Sequence, residues 1–581
     1  MLLVPFQSYA NVKNYERLTM DEIGDEMQTL ASLHPDLVSY STTQAEYGLP
    51  KTCEGHSGCW NHFLTITDSK IYSHKSARKA KKERPDVFLS GALHGNERVG
   101  PVATIQVAKL LATAASCESG NAPVEVDCNA FYRKYTKREV VWLARLVSTR
   151  RIVIVPAANS NGYYNNQREE GGFDPNRDFA FDQQISSNDG ISNTCMRTIA
   201  ARTINELFLH HMFQMAVTYH GGIESITYEW GSTSIPRGKM APDFYAGDVI
   251  TNGLSQYAGK LYPNTLYKTG DTNSVVYPVR GGFESWAYAG SWTDNLVNKC
   301  SPQTYNGYDI SKTTYDDTTL RSFSILVETS NSKNPDINAL GTDEKLLTNL
   351  DYNANNGYIS KHVRTALMAI DIVEPYIEII QCKKKMFRSE LKPLVPLRRR
   401  WSKREKIIRA KTNHRPRVTW TVGGSFRVDQ TFLVYGLWKD FPKYFNGIQQ
   451  LNEDQLEVVL DNSDFSTTSA KRGGTRWSSL ATEFGVEETF SAKLDLSRFS
   501  APNKVAIFAF AKVDQSWDEK PVNDVWPNIG IQSHLANGRT NPNYRAKKIS
   551  AGRIVQGRHH WISIPLTIEI KPDQLVDNSI F

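Results

Sequence analysis

The chain has 581 residues, of which 40% are apolar and 11% aromatic, so it is too long for one ordinary domain and can bury a large core. Its formal net charge of +7 is uneven, because residues 383–411 hold 13 Lys and Arg against 2 Glu, a local charge of +11. The rest of the chain therefore carries about −4 (+7 minus +11), which indicates a globular, multidomain protein without a general affinity for anions.

The first part of the chain alternates short apolar runs with segments of helical periodicity. Helices are predicted within residues 19–37, 101–115 and 359–376. The first follows a Thr that can cap it, and the second has a Pro near its start. Buried strands, rich in β-branched and aromatic residues, are predicted within four: 86–93, 151–159, 215–220 and 323–329. This alternation predicts an α/β domain with a mixed, largely parallel sheet and flanking helices.

The pattern changes after the basic run to short alternating strands with turn residues between them, which is typical of a β-sandwich. A nucleic-acid-binding face would place its charges on a folded surface with interleaved aromatic residues, whereas the basic run lies between two structured regions and contains Pro393 and Pro396, so no nucleic-acid partner is expected. We interpret it as an exposed linker that could contact an anionic surface. The predicted regions are an α/β catalytic domain, a basic linker and a β-sandwich accessory domain: 1–382, 383–412 and 413–581.

The cellular compartment is harder to predict than the fold. No window has the roughly 18 apolar residues that a transmembrane helix needs, and the apolar start of the chain is shorter than a signal-peptide core. The seven cysteines form no Cys-x-x-Cys pair, so a structural zinc knuckle is not expected. Cys53 with Cys59 and Cys117 with Cys128 could close disulfide loops, and we expect Cys382 to remain free. We predict a secreted or extracytoplasmic protein, with a cytoplasmic one as the alternative.

Three chemically versatile side chains lie at or just after the ends of predicted strands: His94, His220 and Glu328. In largely parallel sheets, ligands bind at the carboxyl ends of the strands. A catalytic zinc ion takes three protein ligands, commonly His and Glu, and lowers the pKa of a water molecule to about 7. His94, Glu97 and His220 would supply the three ligands, and Glu328 would accept the proton from that water.

Six motifs occur in an order that a known family shares: HGNE (94–97), PAANSNGY (156–163), FDPNRDF (173–179), TYHGG (218–222), YPVRGGFESW (277–286) and ILVETS (325–330). Over roughly residues 12–380 the chain thus resembles the zinc metallocarboxypeptidases of the carboxypeptidase A and B type. The resemblance implies their α/β fold, one zinc ion per chain, and removal of single residues from the C-termini of peptides or proteins.

The resemblance also implies a role for each site residue. The zinc ligands would be His94, Glu97 and His220, and the general acid/base would be Glu328. The substrate's terminal carboxylate would be held by Asn176, Arg177 and Tyr277, and the oxyanion would be stabilised by Arg168. These roles suit the residue types, because Arg donates two parallel hydrogen bonds to a carboxylate and a missing oxyanion donor costs about 3 kcal/mol.

Two departures from the pancreatic members of the family concern specificity. Asn96 replaces an Arg, as in the regulatory carboxypeptidases D, E, M and N, and the C-terminal β domain also matches that branch. The acid that this branch carries about eleven residues after the second His is Gly231 here. Glu284 instead occupies the position at which pancreatic enzymes acting on Lys and Arg carry an acid. We therefore expect a pocket that selects Lys and Arg side chains, in which Glu284 has no partner until substrate binds.

Three other functions are compatible with parts of the sequence. An amidohydrolase of the aspartoacylase kind would keep the zinc ligands but has no need of Asn176, Arg177 and Tyr277. A non-catalytic binding module would lack a zinc ligand or the Glu, whereas all four residues are present. Cytosolic deglutamylating relatives carry their β domain before the catalytic domain and need a basic pocket rather than Glu284.

Overall fold

The computed structural model describes residues 14–53, 59–69, 86–184, 190–211, 213–236, 241, 244–289, 296–314, 322–344, 346–347, 357–371, 373, 376–382, 385–386, 406–410, 415–423, 430–437, 450–451, 466–469, 471–477, 486–500, 502–513, 559–562 and 566–570. The described residues up to 373 belong to one compact unit, and those from 376 onward belong to a second.

The first unit is built on an eight-stranded sheet and a separate strand pair. Its strands are β1 (Val38–Thr42), β2 (His62–Ile66), β3 (Asp86–Gly91), β4 (Arg151–Val155), β5 (Ile191–Ser192), β6 (Phe213–His220), β7 (Glu224–Tyr228), β8 (Lys268–Asp271), β9 (Lys299–Cys300) and β10 (Phe323–Thr329). The order across the large sheet is β1-β2-β4-β3-β6-β10-β7-β8, and β5 pairs with β9. The four central strands β4, β3, β6 and β10 are mutually parallel, whereas β1, β2 and β7 join antiparallel. The predicted mixed, largely parallel sheet is confirmed.

Helices flank this sheet, as predicted. They are α1 (Met20–Leu33), α2 (Thr43–Tyr47), α3 (Val99–Ser119), α4 (Cys128–Lys134), α5 (Lys137–Thr149), α6 (Ser160–Asn165), α7 (Ile199–His210), α8 (Phe244–Ala258), α9 (Thr272–Val275), α10 (Phe283–Ala289), α11 (Ile337–Leu340) and α12 (Tyr358–Asp371). Helix α1 begins with a capping box, in which the side chains of Thr19 and Glu22 each accept a hydrogen bond from the backbone N–H of the other residue. This explains why the predicted helix starts after Thr19. Every residue of β3 is buried, so helices and loops cover both faces of the sheet.

Helix α3 is the one described helix that is long and apolar enough to cross a membrane, and 89% of its most apolar window is buried inside the protein. It packs against α5, α12 and β3. Its apolar character is therefore explained by its central position in the core. It ends at Gly120, whose φ of 69° is the left-handed conformation that glycine adopts easily after a helix.

Three disulfides connect the first unit. Cys53–Cys59 and Cys117–Cys128 are the two pairs that the short spacings suggested, and buried Cys382 forms no disulfide, as expected. The third disulfide, Cys195–Cys300, joins the two cysteines that these expectations left over, and we did not pair them because 105 residues separate them in sequence. It fixes the segment before α7 to strand β9.

The second unit is made of strands in two sheets, which contact each other through β11 and β20. Its strands are β11 (Tyr376–Cys382), β12 (Lys385–Met386), β13 (Lys406–Ala410), β14 (Arg417–Gly423), β15 (Gln430–Leu437), β16 (Gln450–Leu451), β17 (Ser466–Ser469), β18 (Lys471–Trp477), β19 (Val486–Lys493), β20 (Asn503–Val513), β21 (His559–Ile562) and β22 (Leu566–Ile570). Buried Trp420 of β14 donates a hydrogen bond of 2.8 Å from Nε1 to the Thr431 hydroxyl of β15. The predicted β-rich character of this part is confirmed.

The edges of this unit differ from the predicted boundaries. Strand β11 pairs with β14, so residues up to 382 that we assigned to the first domain belong to the second unit. Both ends of the predicted linker are strands, since β12 pairs with β11 and β13 pairs in parallel with β22. The middle of the basic run, with Pro393 and Pro396, lies outside the described residues, so its proposed contact with an anionic surface stays a prediction.

Candidate metal centre and active site

The three predicted metal ligands lie at the carboxyl edge of the central strands. His94 and Glu97 are on the turn that follows β3, and His220 is the last residue of β6. Gly91 of β3 lies opposite Tyr219 of β6, so the two strands end side by side. Gly95 is required in this turn, because a side chain there would collide with the backbone of Gly162 and Tyr163. The turn thereby folds tightly against α6 and fixes both ligands.

The donor atoms of these residues converge. Nδ1 of His94 lies 2.9 Å from Glu97 Oε1, and Nδ1 of His220 lies 2.9 Å from Glu97 Oε2. The two Nδ1 atoms are 3.2 Å apart, and one ligand atom from each residue lies within 4.8 Å of the others. Two imidazole nitrogens and a carboxylate, all buried, match the donor set that zinc prefers at catalytic sites. The residues therefore fit a zinc ion.

The outer nitrogen of each imidazole faces a carboxylate. Nε2 of His94 lies 3.1 Å from Asp174 Oδ1, and Nε2 of His220 lies 3.2 Å from Glu284 Oε1. Metal-binding histidines usually donate their second N–H to such an acceptor, which fixes the tautomer and the orientation of the ring. Both rings are thus held with Nδ1 towards the common centre.

Glu328 lies directly beside the metal centre. It belongs to β10, where it is the parallel partner of His220, and it lines the same pocket as His94. Burial raises the pKa of Glu328 to about 7, helped by nearby Glu97 and opposed by the two imidazoles. Among the described residues no donor reaches its Oε2. A carboxylate with a free oxygen and a pKa near neutrality is suited to moving a proton.

Arg168 also lies at the metal centre. Its Nη1 is 3.2 Å from His94 Nδ1 and 3.7 Å from Glu97 Oε1. Its Nε and Nη2 donate to Asp174 Oδ2 at 3.0 and 2.8 Å. These two hydrogen bonds to Asp174 fix the guanidinium group of Arg168 and leave its Nη1 beside the proposed metal ligands. Negative charge develops there on the carbonyl oxygen of a substrate during acyl transfer.

The three residues predicted to hold a terminal carboxylate lie together on the pocket wall. Nη1 of Arg177 donates to the backbone oxygen of Asn176 at 2.7 Å, and its guanidinium carbon is 5.8 Å from the centre of the Tyr277 ring. Asn176 is buried, whereas Tyr277 is 50% exposed. An anion that enters the pocket therefore meets a cation and a phenol at its mouth and an amide deeper inside.

Glu284 does not match the expectation of a carboxylate without a partner. It is buried in the first turn of α10, where Oε1 faces His220 and Oε2 accepts a hydrogen bond of 3.2 Å from Asn176 Nδ2. Contacts between a helix and a strand end 64 residues away in sequence cannot be read from local pattern. The expectation of an unpaired acid is therefore wrong, although Glu284 does line the pocket.

Two other acids near the pocket were missed by the sequence analysis. Asp174 lies inside the FDPNRDF motif, but no spacing rule singles it out as the partner of His94.

Glu229 follows strand β7, is buried, and accepts hydrogen bonds at Oε2 from Gly231 N at 3.0 Å and Ser285 Oγ at 2.6 Å. Burial raises its pKa to about 8, with the charge of Glu284 adding to the effect. Gly231 and Ser285 both line the pocket, so Glu229 lies directly behind its wall.

The pocket thus combines the metal centre with the predicted substrate-binding residues. Its lining consists of His94, Asn176, Arg177, His220, Gly231, Thr272, Val276, Tyr277, Val279, Gly282, Glu284, Ser285, Leu326 and Glu328. Leu326 and Glu328 are alternate residues of β10, so the pocket extends from the strand ends along one face of the sheet.

A largely parallel sheet with a His-Glu-His centre at its carboxyl edge and an unpaired Glu beside it defines a metallohydrolase. The family model of zinc carboxypeptidases matches residues 23–296, so this part of the chain has the sequence pattern of that family. The protein is accordingly a metallocarboxypeptidase, a zinc-dependent hydrolase of peptide bonds. The match does not decide between the pancreatic and regulatory branches. No curated protein sequence matches the chain.

Solved structures show a more distant similarity. Thrombin-activatable fibrinolysis inhibitor is 12% identical, with a TM-score of 0.39 over 61% of this chain and 73% of that protein. The bovine form of that protein, in complex with tick carboxypeptidase inhibitor, is also 12% identical, with a TM-score of 0.36 over 61% of this chain and 95% of that one. A metallo-carboxypeptidase from Burkholderia cenocepacia is 12% identical, with a TM-score of 0.33 over 61% and 70%. The family assignment rests on the match of residues 23–296.

Proposed function

We propose that the protein binds one zinc ion per chain and removes single residues, preferably Lys or Arg, from the C-termini of peptides or proteins. The observation that carries this proposal is the position of Arg177 and Tyr277 in the same pocket as the His-Glu-His centre. An enzyme that cuts only the last peptide bond must hold the free carboxylate at a fixed distance from the reacting carbonyl. These residues provide a carboxylate site and a hydrolytic site together.

Each side chain has a definite task in this proposal. Arg177 and Tyr277 hold the terminal carboxylate, which places the last peptide bond near the metal donors. Arg168 stabilises the negative charge that develops on the carbonyl oxygen. Glu328 accepts a proton from the attacking water and returns it to the departing amine. A zinc ion held by His94, Glu97 and His220 supplies the Lewis acidity.

Arg177→Gln tests the carboxylate site. We expect kcat/KM for a peptide with a free C-terminus to fall on the order of 100-fold, because truncating one partner of a buried charge pair costs about 2–5 kcal/mol. The same peptide with a C-terminal amide should be a poor substrate for both enzymes, since it offers no charge to pair. Lys312→Gln, a change at a partly exposed cation that pairs with Glu206, is the control and should leave both rates unchanged. Equal cleavage of the acid and amide peptides by the unaltered enzyme would refute an exopeptidase.

The preference for Lys and Arg is supported by the acids around the pocket. Glu284 lines it, and Glu229 lies behind Gly231 and Ser285. In the part of the chain that the structure describes, no donor reaches Oε1 of Glu229, and a buried unpaired oxygen is costly. The ammonium or guanidinium group of a substrate side chain would provide the missing donors.

Glu229→Gln should therefore lower kcat/KM for peptides ending in Lys or Arg about 10-fold or more relative to the same peptides ending in Leu or Phe. The substitution keeps the shape of the side chain but removes the carboxyl group that can ionise when a basic residue pairs with it. The apolar peptides serve as the internal control for folding and metal content. An unchanged ratio of basic to apolar cleavage would contradict this basis for the preference.

We also propose a secreted or extracytoplasmic location. Three disulfides support it, since disulfides persist in oxidising compartments and are rare in the cytosol. Mass spectrometry of the native protein under alkylating conditions would test this. Three free cysteine pairs would favour the cytoplasmic alternative.

A further inference from the structure

We propose that Glu284 is a positioning residue of the metal centre, which orients His220 and joins it to the substrate-binding Asn176. This inference rests on the proposed zinc site and adds to the specificity role. Glu284 is 4% exposed, and both of its oxygens are engaged. Oε1 lies 3.2 Å from His220 Nε2, and Oε2 lies 3.2 Å from Asn176 Nδ2.

The contact with His220 has a direct chemical consequence. A metal ion on Nδ1 of His220 leaves the ring proton on Nε2, where the buried N–H needs an acceptor. Oε1 of Glu284 is in the position to accept it. A carboxylate acceptor also makes the opposite nitrogen a stronger metal ligand.

The contact with Asn176 ties this acceptor in place. Oδ1 of Asn176 accepts from the backbone N–H of Phe283 at 2.7 Å, so Asn176 bonds both the backbone and a side chain of the first turn of α10. Its own backbone N–H donates to Asp174 Oδ1 at 2.9 Å. Asn176 therefore contacts both carboxylates that hold the metal-binding imidazoles, Asp174 for His94 and Glu284 for His220. The substrate-binding turn and the metal ligands form one hydrogen-bonded unit.

A glutamine cannot replace Glu284 in this unit. A carboxylate accepts hydrogen bonds at both oxygens, whereas an amide accepts at one end and donates at the other. If the amide introduced by Glu284→Gln turned its oxygen to His220, its NH2 group would face the NH2 group of Asn176. The reverse orientation would turn the NH2 group towards the N–H of His220 and leave only the more distant Thr218 hydroxyl, at 3.4 Å, as its described acceptor. Either arrangement loosens one side of the network.

The test is the zinc affinity of purified Glu284→Gln, measured by competition with a chromophoric chelator. We expect the dissociation constant to rise about 10- to 100-fold, the usual effect of losing an outer partner of a metal ligand. Turnover at limiting zinc should fall for peptides with apolar as well as basic C-termini. Circular dichroism and thermal unfolding would show whether the protein folds, and Glu284→Asp offers a second variant that keeps the charge but shortens the reach.

The matched control is Glu229→Gln, which makes the same chemical change in another buried acid. Glu229 accepts its hydrogen bonds from Gly231 and Ser285. Its zinc affinity should equal that of the unaltered protein. A zinc affinity of folded Glu284→Gln within about twofold of this control would overturn the positioning role. His220→Ala separates this failure from failure of the proposed function. Unchanged zinc binding in His220→Ala would mean that the metal centre itself is misassigned.

Discussion

Glu328→Gln should reduce turnover by about three orders of magnitude or more while zinc and peptide remain bound. The amide keeps the shape of the side chain but can neither accept the proton of the attacking water nor return it to the departing amine, and general acid–base catalysis contributes roughly 10²- to 10⁴-fold. Its neighbours should be little disturbed, because no described donor bonds to Oε2 of Glu328. Single-turnover kinetics would separate the loss of chemistry from any change in binding.

Glu224→Gln is the matched control for this experiment. Glu224 lies opposite Thr329 on the neighbouring strand and bonds to Asn331 and Tyr358, away from the metal donors. The Glu224→Gln variant should therefore retain nearly normal turnover. Comparable turnover of Glu328→Gln and Glu224→Gln would mean that another group is the base.

His94→Ala should abolish stoichiometric zinc binding and activity together. The substitution removes one of three protein ligands and leaves Glu97 and His220 beside a void. It also removes the contacts of Asp174 and Arg168 with the His94 ring, so these two side chains are no longer held in place around the metal site. The fold should persist, because the side chain lies on a turn after β3 and not within the packed strands. Metal content by elemental analysis and secondary structure by circular dichroism measure the two effects.

His210→Ala is the control for that variant. His210 ends helix α7, bonds through Nδ1 to the backbone oxygen of Glu206 and stacks on Tyr47. Zinc content and activity should be unchanged. One equivalent of zinc retained by His94→Ala would contradict the ligand assignment.

The convergence of the proposed metal ligands was predictable, because two of them lie where the sequence predicts the ends of strands. His94 and His220 each follow a buried apolar run, and parallel strands place such positions at one edge of the sheet. The prediction for Glu328 follows in the same way, since its strand pairs with that of His220. Both the fold and the position of each proposed ligand can therefore be inferred from sequence patterns within a few residues of that ligand.

What surrounds the ligands was not predictable in the same way. The contact of Glu284 with His220 depends on how α10 packs above the sheet, and the distant disulfide Cys195–Cys300 depends on the segment before α7 meeting strand β9. Glu229 follows a strand, but that strand runs antiparallel to its neighbour β10, so the strand-end rule does not apply to it. The strand β13 was concealed by the charge of the basic run. Each of these features depends on tertiary packing and has no local signature.

The most direct test of the central claim is mass spectrometry of the products from short peptides that differ only in their last residue. The protein would be assayed as isolated, after removal of zinc by a chelator, and after zinc is returned. The account predicts loss of a single C-terminal residue, fastest for Lys and Arg, which stops without zinc and resumes when zinc is restored. Internal cleavage, cleavage of amidated peptides at equal rates, or activity that persists without metal would contradict it.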